Sequence, residues 1–72
     1  MKYFRVFFEN GLPATAQRIY ELDTNDIINI AEKGKKRLVH SLVVYAESEE
    51  DAIEEAGNLV RRYFAFFGLS NE

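Results

Sequence analysis

Hydrophobic and polar positions alternate at once in this chain. Over residues 2–9, Phe4, Val6 and Phe8 fall on one side, and Tyr3, Arg5 and Phe7 on the other. Aromatic and β-branched side chains dominate the run and Asn10-Gly11 closes it, which predicts a strand followed by a turn. Pro13 cannot donate a ladder hydrogen bond, so pairing is expected to resume near Thr15, with a second strand over residues 15–22. Ala14, Ala16 and Gln17 suit a helix equally well.

Between Asp23 and Gly34 two periods compete. Asp23 with Asp26 imitates a capping box, Ile27, Ile30 and Ala31 recur at helical spacing, and Gly34 stands where a helix ends, so a short helix is the favoured reading. The rival is a strand through Ile28-Asn29-Ile30, which makes Lys33-Gly34-Lys35 a hairpin turn.

Residues 37–46 predict a strand apolar on both sides, with Leu38, His40, Leu42, Val44 and Ala46 pointing one way and Val39, Ser41, Val43 and Tyr45 the other. Such a strand belongs inside a sheet. The last element is a helix over residues 48–67. Ser48 caps it, Glu49, Glu50 and Asp51 complement its positive end, and Gly68 can close it. Its apolar arc, through Ala52, Ile53, Ala56, Leu59, Val60, Tyr63, Phe64, Phe66 and Phe67, spans about 180°, where a surface helix needs about 100°.

These elements predict one α+β domain over residues 1–72. The expected form is a two-layer sandwich, with a small, mainly antiparallel sheet and the long C-terminal helix on one face. The favoured element order is ββαβα, with a strand meander followed by one helix as the alternative. With 72 residues there is no room for a second domain, and without cysteine there is no disulfide framework, zinc ribbon or thiol chemistry to staple the fold. The N-terminal run is interrupted by Arg5 and Glu9 and lacks the apolar core of a signal peptide. The chain therefore reads as soluble and cytoplasmic.

Five apolar side chains, Tyr3, Phe7, Val39, Val43 and Tyr45, are expected on the sheet face away from the helix. At about 25 cal/mol per Å², leaving them wet forgoes several kcal/mol, comparable with the stability of a small domain. Either the segment 24–33 folds across them or a second copy does, and the homodimer is favoured.

Candidate chemistry is sparse. His40 is the one histidine, set mid-strand without a companion that would make it a catalytic base or a metal ligand, and it reads as a strand histidine bonded to a neighbour. Asp23, Asn25 and Asp26 open like a calcium loop, but Ile27 occupies a ligand position. The carboxylates Glu47, Glu49, Glu50, Asp51, Glu54 and Glu55 follow the helix's first turns and solvent side. No catalytic, cofactor or metal residue is assigned, and no cofactor is implied.

A non-enzymatic regulatory or adaptor protein is the leading expectation, acting through protein–protein contacts as a homodimer, with Tyr3, Phe7, Tyr45, Leu59 and Phe66 as contact residues. Two alternatives stand beside it. A single-stranded nucleic-acid module would stack bases on the sheet aromatics and hold phosphates with Lys33, Lys35, Lys36 and Arg37. An acidic inhibitor would offer its helix to a basic groove of a nucleic-acid enzyme. The net charge of −3 is the wrong sign for the first and modest for the second, so nucleic acid is an unlikely partner; no membrane partner is expected.

Overall fold

A computed structural model describes residues 1–34 and 36–67, with side chains at all of these but Lys33, Lys36 and 63–67. Four strands precede one helix: β1 (Lys2–Glu9), β2 (Leu12–Ile19), β3 (Ile28–Lys33), β4 (Lys36–Ala46) and α1 (Glu49–Phe67). The sheet is antiparallel throughout, in the order β2-β1-β4-β3. Two hairpins thus lie side by side, joined where β1 pairs with β4.

The segment expected as a short helix is a turn and a strand instead, so the element order is ββββα rather than ββαβα. Asp23 uses its carboxylate to accept from the backbone N–H of Asn25 at 2.9 Å, and the N–H of Asp26 donates to the Asp23 carbonyl at 3.0 Å. That local turn consumes the groups that resembled a helix cap. The isoleucines that follow lose less side-chain freedom in a strand, and Gly34, at φ +65°, serves the β3–β4 turn.

The second strand begins at Leu12, three residues earlier than expected. Asn10 and Gly11 have φ of 52° and 81°, the left-handed pair of a two-residue hairpin turn, so Glu9 already faces Leu12. Pro13 is tolerated because β2 is an edge strand, and the register slips beside it between Phe7 and Phe8.

The core lies between the sheet and α1. Phe4, Val6 and Phe8 of β1 meet Val39, Leu42, Val44 and Ala46 of β4 and Ala52, Ala56 and Val60 of the helix. Ser48 caps α1 by accepting from the Asp51 N–H at 3.1 Å. Small residues let the helix come close. A Cβ on Gly57 would stand 3.4 Å from the ring of Pro13, so α1 rests on the start of β2.

The face assignment along β4 needs correcting at one point. Ser41 pairs with Asn29, yet Val39 pairs with Ile30, so His40 has no partner on β3. This slip turns Val39 into the core beneath the helix and places His40 beside Phe7, with ring centroids 6.4 Å apart and nearly perpendicular.

Candidate interaction face

The sheet face away from α1 is organised in three rows across the strands. At one end Ile19, Tyr3 and Tyr45 stand side by side; in the middle are Gln17, Arg5 and Val43; at the other end are Thr15, Phe7, Ser41 and Asn29. Each row has a distinct character. The first is aromatic and open, the second charged, and the third polar with Phe7 and His40 beside it.

Tyr3 and Tyr45 are opposite one another on β1 and β4, and their rings lie 4.7 Å apart at 45°. They are 41% and 51% exposed, so each supports the other while one side of the pair faces solvent. Phe7 is half-buried. Val39 and Val43, expected wet, are both buried.

Val39 is buried on the helix side, and Val43 lies on the open face beside Arg5. The Arg5 guanidinium reaches across β4 to donate to the Ser41 hydroxyl at 3.2 Å and to the Asp26 carbonyl and carboxylate at 2.9 and 3.2 Å. Asn29 completes the ring, donating from its amide to Asp26 at 2.6 Å and to Ser41 at 3.1 Å. The planar fork of arginine suits this task, since one group must serve acceptors on two elements. Ser41 is buried and accepts from both donors, so its hydroxyl has partners out of water's reach. The network ties the turn before β3 to the open face, helped by the Val43 N–H donating to the Ile27 carbonyl at 2.8 Å.

Sequence reasoning missed this cluster. Its signal was present, because Arg5 and Ser41 are polar residues in the middle of otherwise apolar strands; their partners on the 23–29 segment became readable only once that segment was a turn and strand.

The proposed contact residues separate. Tyr3, Phe7 and Tyr45 share the open face, whereas Leu59 packs against the core on the other side of the sheet and the side chain of Phe66 lies outside the described residues. The basic tract is remote from the tyrosines. Lys36 and Tyr45 are near opposite ends of β4, about 30 Å apart at about 3.3 Å per residue. Arg37 is exposed near the turn, opposite Glu32; Lys33 faces Lys36 in the pairing; Lys35 lies outside the described residues.

The Ser41 hydroxyl is held by two donors and His40 rests against an aromatic ring, which gives neither the base that would activate a nucleophile nor an oriented acid–base pair. Among the described residues, no three His, Cys, Asp or Glu side chains gather to hold a metal ion, and no helix is long and apolar enough to cross a membrane. A hollow of 430 Å³ opens between the β1–β2 turn and α1, beside Phe8, Pro13, Gly57 and Val60. Its lining is mainly apolar, and its one charged residue, Arg61, donates to Asn58. Comparison with protein families, curated proteins and solved structures found no match.

Proposed function

We propose that this chain is a non-enzymatic regulatory or adaptor module that works as a homodimer and receives a protein partner on its open sheet face. The observation that carries the reading is the Tyr3–Tyr45 pair, two rings in tilted contact, 41% and 51% exposed, on a sheet face the helix does not cover. Tyrosine suits a contact surface because its ring supplies apolar area at low entropic cost and its hydroxyl tolerates water until a partner arrives. Ile19 and Phe7 extend the apolar area on the same face. Arg5, Asp26, Asn29 and Ser41 hold the surface in shape beforehand, which lowers the ordering cost of association.

Separation of the tyrosines from the basic turn weighs against the nucleic-acid reading, because stacking and phosphate contacts would fall at opposite ends of the sheet. The test of the leading reading is light scattering at two concentrations. It should give a mass that rises above the 8.3 kDa of one chain as concentration increases. A constant protomer mass would refute the homodimer.

A further inference from the structure

The two edges of the sheet are unequal. β3 is six residues long and ends in Glu32 and Lys33, and charges of this kind discourage another strand from pairing there. β2 is eight residues long, and after Pro13 and its register slip it runs through Thr15, Ala16, Gln17, Arg18 and Ile19 with one charge. That charge is engaged, since the Arg18 guanidinium sits 4.6 Å from the ring centroid of Tyr20. The helix bears on β2 at Pro13, while Thr15, Gln17 and Arg18 are exposed. Among the described residues β2 pairs only with β1, so the outward backbone groups of this stretch are offered to a further strand.

We propose that this edge is the seam of the homodimer. The stretch Thr15–Ile19 pairs antiparallel with the same stretch of a second copy, with Gln17 on the two-fold axis. This inference rests on the homodimer reading and assigns its geometry. The sequence of the edge suits a second copy as its occupant. About Gln17 the register sets Thr15 against Ile19, Ala16 against Arg18 and Gln17 against its twin, so each side chain meets one on the same sheet face. No like charges are directly opposed. A glutamine amide both donates and accepts, so two of them on the axis satisfy one another. The product is an eight-stranded sheet in which Ile19, at the end of the Tyr45–Tyr3–Ile19 row, abuts the second copy's Thr15. The two open faces become one continuous surface.

Gln17 is exposed at an edge, so charges placed there spare the core. Gln17→Lys and Gln17→Glu, each alone, set like charges against each other on the axis. Each should weaken self-association by about tenfold or more, and mixing the two variants should restore a heterodimer. Because the chain has no cysteine, Gln17→Cys gives a second readout: it should form a disulfide-linked dimer under mild oxidation, while Glu32→Cys on the other edge should not. A wild-type dimer indifferent to both Gln17 charges, or one that Tyr45→Asp dissociates in their place, would overturn the seam and leave the homodimer standing. A wild-type chain that is monomeric at every concentration would instead remove the homodimer, and the seam with it.

Discussion

The two faces of the sheet are made by alternate residues of the same strands, yet they are closed by different physics. On the helix side Phe4, Val6 and Phe8 meet Ala52, Ala56 and Val60, and the face is sealed by volume. On the other side Arg5 and Ser41, interleaved with those residues, are secured by directed bonds to Asp26 and Asn29. A face sealed by volume is closed to partners. One braced by hydrogen bonds fixes its shape while leaving rings such as Tyr3 and Tyr45 partly in water, as the proposed contact surface requires.

The contrast predicts graded effects. Phe4→Ala should be the most damaging, at about 3 to 5 kcal/mol, because it leaves a cavity under the helix; urea unfolding followed by circular dichroism should find the domain close to its stability limit. Phe4→Leu should recover most of that loss.

On the open face, Arg5→Ala should cost about 1 to 3 kcal/mol by the same measurement, since it strips the buried Ser41 hydroxyl of one donor and frees the 23–27 turn. Arg5→Lys should recover only part, because an ammonium cannot fork between Ser41 and Asp26. Equal losses for Phe4→Ala and Arg5→Ala would erase the distinction between the faces.

The smallest effect is expected at the contact of helix and edge. Gly57→Ala places its methyl at 3.4 Å from Pro13, an ordinary contact, and should stabilise α1 by about 0.5 to 1 kcal/mol through helix propensity. A thermal melt should rise by a few degrees. A fall would mean that α1 sits on β2 too closely to admit even a methyl.

Much of the fold was legible in the sequence because single residues carried it. Phe4, Val6 and Phe8 announced the buried face of β1, Ser48 announced the start of α1, and the run Leu42-Val43-Val44 announced a strand with neighbours on both sides. The 23–33 segment was misread because Asp23 and Asp26 serve a turn as readily as a helix cap, and only tertiary pairing with β4 decides between them. The exchange of Val39 and His40 could not be read at all, since it arises from a one-residue slip against β3 that leaves no mark on β4 alone. Of the candidate face, Tyr3, Phe7 and Tyr45 were readable from alternation. The ring of bonds from Arg5 was not, because Asp26 and Asn29 approach it from another hairpin.

Amide hydrogen exchange at rising protein concentration tests the assembly most directly, with β3 as an internal control for β2. Protection should grow at the outward amides of Thr15–Ile19 as the second copy docks, while Ile28–Lys33 exchanges at a constant rate. Identical, concentration-independent exchange on both edges would contradict the account.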